Sequence, residues 1–300
     1  MRTLSKLLDL PLNQLRKSKK SRTQYSVGPS LFWYAFFFVI PTGYMFIISF
    51  WRQSGIRLIP DLTLGNYFEF FVNPVYYGVF LKSLLIAVSV TLLSVGFGYA
   101  VAYYMATRIK KYKIPTLLLL LGPFWANYLL IIFAWKAILG KTGILNSFLQ
   151  YLGLIEEPVG SLLYSPLAVV ITLVHIWTPF LVLPMFTSLE KIDQTLLEAA
   201  EDLGANKRQA FARVTLPLSM PGIMVAVLFV FIPTVGEFIT PLLVGGPAGQ
   251  MYGNLIQVLF HRGFDWPLGS ALTFIMFMVT VAAASILILK IGLQKVIESL

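Results

Sequence analysis

The sequence predicts an all-α, polytopic membrane protein with six transmembrane helices, and three observations carry that prediction. Of the 300 residues, 57% are hydrophobic and 12% charged, where soluble domains run at ~45–50% and ~25%. A soluble domain of this size could not cover itself with so few charges. Mean hydropathy is +0.78, and the apolar residues gather into six runs long enough for the ~20 helical residues that a bilayer core requires. The alternating strands of a β-barrel are missing, and backbone groups in hydrocarbon must bond internally, so the runs are helices.

In chain order the runs are 31–50, 84–104, 114–139, 164–186, 222–244 and 268–289. They divide the chain into a basic N-terminal arm (1–30), a six-helix transmembrane domain (31–290) with a long loop at 187–221, and a short C-terminal tail (291–300). Six spans place both termini on one side. That side carries seventeen of the 23 Lys and Arg residues and the opposite side five, Arg52, Arg57, Lys82, Lys141 and Arg262. The asymmetry puts both termini in the cytoplasm and accounts for the net charge of +10 as a topology signal, so no nucleic-acid partner is expected. Trp51, Trp135 and Trp266 fall near the outer ends of their spans, where an aromatic belt belongs. The arm either lies on anionic membrane lipid or is a disordered positive tail that fixes topology; Asp9, Pro11 and Asn13 interrupt any signal-peptide core.

Groups that could carry catalysis are scarce. Cysteine is absent and there are two histidines, which removes disulfides, thiolate nucleophiles and Cys-based metal sites. Gly140-Lys141-Thr142 resembles the end of a phosphate-binding loop, but Trp135 stands where its first glycine is needed. The chain is therefore expected to be no enzyme, with no cofactor of its own and no metal site. Any ATP and Mg belong to a partner. Gly96-Phe97-Gly98 offers a small-residue patch for close helix packing.

The 187–221 loop is the most informative segment. Asp193 suits the N-cap of a helix with apolar positions Leu196, Leu197, Ala200 and Leu203, and Gly204 suits its C′ position. Asn206 then caps a second helix with Ala210, Phe211 and Val214 on one face, expected to stop at Pro217. Such a pair either plugs a groove in a partner or packs on lipid or the chain's own helix ends.

Glu198-Ala199-Ala200, then Gly204, then Val214-Thr215-Leu216-Pro217 resembles the EAA loop of permease subunits of bacterial ABC importers, with Val214 where that family prefers isoleucine. The resemblance implies that the loop docks in a cleft of an ATPase subunit. On that implication the coupling residues are Glu198, Ala199, Ala200, Asp202, Gly204, Phe211, Leu216 and Pro217. It further implies a second permease subunit, related or identical, two ATPase subunits that bind ATP and Mg, an extracytoplasmic solute-binding protein, and residence in the bacterial inner membrane. A passive channel or ion-coupled carrier is the rival reading. More narrowly, Gly236-Glu237-Phe238, Gly245-Gly246-Pro247, Gly253-Asn254 and Asp265-Trp266-Pro267 resemble spermidine/putrescine permeases, implying a polyamine solute; permeases for other small organic solutes share parts of these strings.

An ionisable group inside a span is by default a functional candidate. Glu237, seven residues inside the outer end of the fifth run and about 10 Å deep at the helical rise, either receives a cationic amine, or pairs with Lys136 or holds the ends of neighbouring helices. Lys136 alone is expected to snorkel outward, and His175 to tie helices together. Pro179, Pro184, Pro233 and Pro241 are expected to break the fourth and fifth spans, which nominates those helices for the pathway, with Trp177, Thr178 and Phe238 beside Glu237.

Overall fold

The computed structural model describes residues 28–122 and 127–291. The N-terminal arm up to residue 27 and the tail from residue 292 lie outside the described residues, and with them the expectation that the arm lies on lipid. The architecture is all-α, and six candidate spans are present: Gly28–Ile48, Pro74–Arg108, Tyr128–Tyr151, Pro166–Glu190, Lys207–Val235 and Trp266–Leu289. The one small sheet is a hairpin that the sequence reading did not anticipate, β1 (Arg52–Ser54) against β2 (Arg57–Ile59), in the connection after the first span.

Side-chain caps set where most of these helices begin. Asn73 accepts from the Val75 amide at 3.0 Å ahead of Pro74, Asn127 from Leu129 at 2.8 Å, Ser165 from Ala168 at 3.1 Å, and Asp265 from Leu268 at 3.1 Å. Each satisfies an amide that the first helical turn leaves without a partner. The second span, expected over 84–104, runs the full 35 residues of Pro74–Arg108, about 52 Å at the helical rise.

Two expectations need correction. The third run is not one helix: Lys113–Leu121 and Tyr128–Leu139 are separate, the second starting afresh at the Asn127 cap, and Ile144–Tyr151 follows after a turn. Pro179 and Pro184 do not break the fourth span, and Pro221 and Pro233 lie inside the fifth. Thr178 Oγ1 donates to the Val174 carbonyl and Thr234 Oγ1 to that of Val230, both at 2.6 Å; neither is a carbonyl that a proline leaves without its amide. The fifth helix ends instead at Val235, ahead of Gly236.

The second, fourth and fifth spans form the core. Ile86, Val90, Ala102, Leu173, Leu181, Met185, Ala226 and Val230 are buried together between them. The first and sixth spans are peripheral, with 6% of their apolar window buried against 39% in the fourth. A second cluster of Phe70, Phe80, Tyr252, Leu268 and Leu272 joins the far ends of the second and sixth spans to the short helices Gly65–Val72 and Tyr252–His261. There Tyr252 donates its amide to Ser83 Oγ at 2.7 Å and its hydroxyl to the Leu272 carbonyl at 3.2 Å.

Half of the predicted small-residue patch makes the close approach. A Cβ at Gly98 would stand 2.9 Å from Met185 Cε and 3.3 Å from the Thr178 carbonyl oxygen, whereas Gly96 meets nothing within 4 Å. Gly98→Val is therefore expected to destabilise the detergent-solubilised protein by about 1–3 kcal/mol through overpacking, and Gly96→Val to change little. Thermal unfolding of the two variants side by side checks this; equal effects would show that the second and fourth spans do not meet at Gly98.

Candidate functional site

The 187–221 loop and the turn that follows Val235 hold most of the residues the sequence singled out, and both pack on the core, through Ile192 and Ile239 among others. In the loop, the helix Gln194–Asp202 starts at Asp193, whose carboxylate accepts from the Thr195 amide at 3.0 Å. That bond holds the Asp193 carboxyl below its ordinary value. The helix ends in a left-handed turn at Gly204, φ +85°, the conformation glycine adopts without strain. Glu198, Ala199, Asp202 and Gly204 are exposed and Ala200 is half-buried. No residue of this helix is buried, and Leu203, beside the turn, is 90% exposed. Leu197 is turned inward over a cavity of about 250 Å³ lined also by Tyr103, Thr107, Lys113, Glu190 and Thr215. On its rim Lys113 Nζ donates to Glu190 at 2.8 Å, tying the helix Lys113–Leu121 to the end of the fourth span.

The second loop helix does not stop at Pro217. It begins at Lys207 under a capping box between Asn206 and Gln209, passes through a widened π-turn at Phe211–Thr215, and continues as Leu216–Val235. A proline lacks the amide for the fourth carbonyl back and clashes with it; the widened turn just ahead of Pro217 absorbs that misfit within one continuous rod. The apolar face of this segment belongs to the chain itself. Ala210 is buried, and the half-buried Phe211 sets its ring edge-on to Tyr103 at 5.3 Å and to Tyr99 at 6.2 Å, while Tyr99 hydrogen-bonds Ser219 at 2.9 Å. Leu216 is half-buried and Pro217 exposed. Of the predicted coupling set, then, Glu198, Ala199, Asp202, Gly204 and Pro217 are free at the surface, and Phe211 is engaged with the second span.

The depth estimate for Glu237 does not survive, because the fifth helix ends before it. The Glu237 carboxylate caps the turn that follows: Oε1 accepts from the amides of Ile239 at 2.9 Å and Thr240 at 3.0 Å, and Oε2 from the Tyr128 hydroxyl at 2.9 Å. Tyr128 and Thr240 are 2.7 Å apart, and since the tyrosine's one proton serves Glu237, Thr240 donates to it. The expected pair with Lys136 is not formed; the Lys136 ammonium lies over the Tyr164 ring, 5.7 Å from its centre. Gly253 lets the 236–238 turn seat directly, since a Cβ there would stand 2.8 Å from the carbonyl oxygens of Gly236 and Glu237. Asn254 donates to the Phe238 carbonyl at 2.7 Å and accepts from the Met251 amide at 3.0 Å. Two of the short strings noticed in the sequence, Gly236-Glu237-Phe238 and Gly253-Asn254, thus meet around this break.

The other nominated residues are dispersed. Trp177 sits at mid-span, its ring 6.3 Å from both Phe180 and Phe229, with its buried Nε1 lacking an acceptor among the described residues. Thr178 spends its hydroxyl on its own helix, and Phe238 is 38% exposed. His175 is exposed, meets Trp135 at 5.5 Å and makes no hydrogen bond among the described residues, against the expectation that it ties helices together. Tyr128 and Tyr99 were missed, and Asn254 was singled out without its role, since each acts through a partner more than fifteen residues away that no local pattern marks.

Residues 31–299 match the family model for the binding-protein-dependent transport system inner membrane component. The spermidine/putrescine transport system permease protein PotB of Escherichia coli (strain K12) is 40% identical over 240 residues, covering 80% of this chain and 86% of that protein. PotB of Haemophilus influenzae is 39% identical over 242 residues, covering 80% and 84%. In fold, the chain is similar to a bacterial ABC transporter involved in the import of the acidic polysaccharide alginate, with TM-score 0.75, 17% identity, and coverage of 93% and 98%. These findings define a membrane permease of the ABC importer class. The chain belongs to the binding-protein-dependent inner membrane component family.

Two predictions follow from the geometry. Tyr128→Phe leaves Glu237 Oε2 without its donor and is expected to cost about 1.5–3 kcal/mol, the range for a bond to a charged group, read as a lower unfolding temperature; an unchanged value would mean that water replaces the hydroxyl. Because the Asp193 carboxyl is held low by the Thr195 amide, its cap is fully present above the ordinary value of about 3.9 and lost as pH falls through the lowered folded value. Amide exchange at Thr195 should accordingly rise in Asp193→Ala at neutral pH, but in the wild-type chain only in strong acid.

Proposed function

We propose that the chain is the membrane-spanning permease subunit of an ATP-driven polyamine importer, with the 187–221 loop as its coupling element. The observation that carries the coupling is the exposed, capped helix Gln194–Asp202, joined through the Gly204 turn to a helix that runs unbroken into the core. Glu198, Ala199, Asp202, Gly204 and the apolar Leu203 form the surface offered to an ATPase cleft, and Phe211 and Leu216 pass the load to the second span. ATP and Mg are bound by two ATPase subunits, solute arrives from an extracytoplasmic binding protein, and a second permease, related or identical, completes the pathway. The family description names the dependence on a binding protein. The basic side of the chain, with both termini and the coupling loop, faces the cytoplasm.

The polyamine reading is supported by 40% identity over 80% of the chain to permeases named for spermidine and putrescine. ATPase closure draws the coupling helices together and opens the pathway outward; hydrolysis resets it. Gly204→Asp forces a β-substituted residue into a left-handed turn. In proteoliposomes with ATPase and binding protein, we expect this variant to lose spermidine-stimulated ATP hydrolysis by tenfold or more while still inserting in the membrane. Transport without any ATPase present would refute the importer reading, and stimulation by amino acids or sugars but not polyamines would refute the solute.

A further inference from the structure

We propose that the Lys113–Glu190 ion pair is a latch by which the coupling loop positions the first helix of the third run, closed in this conformation and open at another stage of the transport cycle. The proposal rests on the coupling reading above and adds to it the contact that carries movement of the loop to a segment beyond the fourth and fifth spans.

Each charge stands at the unfavourable end of its own helix. Lys113 is the first residue of Lys113–Leu121 and Glu190 the last of Pro166–Glu190. A helix carries partial positive charge at its N-terminus and partial negative charge at its C-terminus, so each residue opposes the dipole of the helix that bears it. What both gain is the other: Lys113 Nζ lies 2.8 Å from Glu190 Oε1 although the two are 77 positions apart in sequence. The same ammonium lies over the Phe186 ring, one turn before Glu190, at 5.9 Å from its centre. Charges that disfavour both helices and yet join them serve the joint.

The surroundings make this joint a two-state element. Tyr112, the residue before Lys113, is held at φ +68°, a left-handed conformation that an L side chain disfavours, so release of Lys113 lets that residue relax. The paired side chains are 28% and 46% exposed, and an ion pair so open to solvent contributes little to stability, which suits a contact that forms and breaks in every cycle. Glu190 stands three residues before the Asp193 cap of the coupling helix. The end of the fourth span is also seated on the rod that leaves the loop, since a Cβ at Gly222 would stand 2.6 Å from the Pro184 carbonyl oxygen. Lys113 and Glu190 line the cavity beneath Leu197, so the coupling helix has room to move against them. Movement of the loop thus reaches Glu190 and, through the latch, the helix Lys113–Leu121.

The chain has no cysteine, so introduced thiols are the only ones it carries. The test uses the complete transporter in liposomes, with ATPase and binding protein, and reads spermidine-stimulated ATP hydrolysis against the basal rate. The double variant Lys113→Cys/Glu190→Cys is joined by a reducible bis-methanethiosulfonate reagent, with the single-cysteine variants treated alike as controls. We expect cross-linking to lower stimulated hydrolysis by about tenfold or more and reduction to reverse the loss; unchanged hydrolysis in the cross-linked form overturns the latch. Lys113→Met and Glu190→Gln should each lower the ratio of stimulated to basal hydrolysis by about fivefold or more. The exchange Lys113→Glu/Glu190→Lys should restore that ratio and raise the unfolding temperature, because each charge then agrees with its own helix. An exchange that raises the unfolding temperature but leaves the ratio low overturns the latch and makes the pair a structural tie. A wild-type complex that shows no stimulation at all would instead overturn the coupling reading, on which the latch depends.

Discussion

Hydrocarbon supplies no hydrogen-bond partner, so wherever a chain leaves the helix within the membrane every freed amide and carbonyl must be met by the protein itself. In this molecule the turn just past the end of the fifth span at Val235 has its freed groups met in that way. The break at Gly236 frees a turn of backbone, and the groups that meet it come from three separate stretches: Glu237 caps the amides of Ile239 and Thr240, Tyr128 anchors the carboxylate from the helix Tyr128–Leu139, and Asn254 takes the Phe238 carbonyl. Gly253 allows the turn to approach to backbone contact. Spermidine/putrescine-type strings that look unrelated along the sequence are therefore pieces of one polar joint. A carboxylate so fully engaged acts first as architecture, and any contact it makes with solute would have to displace one of those bonds.

On the proposed reading the loop on the other side acts as a lever, which needs a stiff connection to the core. A helix interrupted at Pro217 would be a hinge, and force applied at the Gly204 turn would dissipate there. The π-turn at Phe211–Thr215 lets the helix absorb the proline and carry on as one rod from Lys207 to Val235. Phe211 is clasped by Tyr99 and Tyr103, and Ser219 bonds Tyr99 about two turns further on. On the proposed reading, displacement of the exposed helix Gln194–Asp202 moves the fifth span and, through this clasp, the second span with it.

How much of this was legible depended on the range of the interaction. The spans and their number followed from apolar run length, because that signal is local, whereas the starts capped by Asn73, Asn127, Ser165 and Asp265 were not read from those caps. Asp193 and Gly204 behave as their residue types demand, and the Glu198-Ala199-Ala200 string sits where its pattern implies. The prolines misled: local chemistry disfavours Pro179 and Pro184 in a helix, but the fourth span runs unbroken through both. The third run misled in the other direction, since uniform hydrophobicity hid the fresh start at Asn127. Lys136 was a reasonable partner for Glu237 by charge, but the site is filled by Tyr128, whose relation to Glu237 is a matter of tertiary geometry alone.

Hydrophobicity also could not say which helices are central, because in a bilayer a lipid-facing residue is as apolar as a buried one. Side-chain size carries that information. Buried positions of the second span include Ser83, Ala87, Thr91, Ser94, Gly98 and Ala102, spaced by three or four residues along one face. Small residues let backbones approach, and approach is what drives association when lipid competes equally for apolar surface. The first span has no such stripe: Leu31, Phe32, Trp33, Tyr34, Phe36, Phe37 and Phe38 crowd it with large side chains, all of them more than half exposed. Bulk of that kind holds neighbouring backbones apart, so the first span can only edge the bundle while the small-residue face of the second closes on the fourth and fifth. The division between a packed core and a peripheral helix is thus written in residue volume and not in hydropathy.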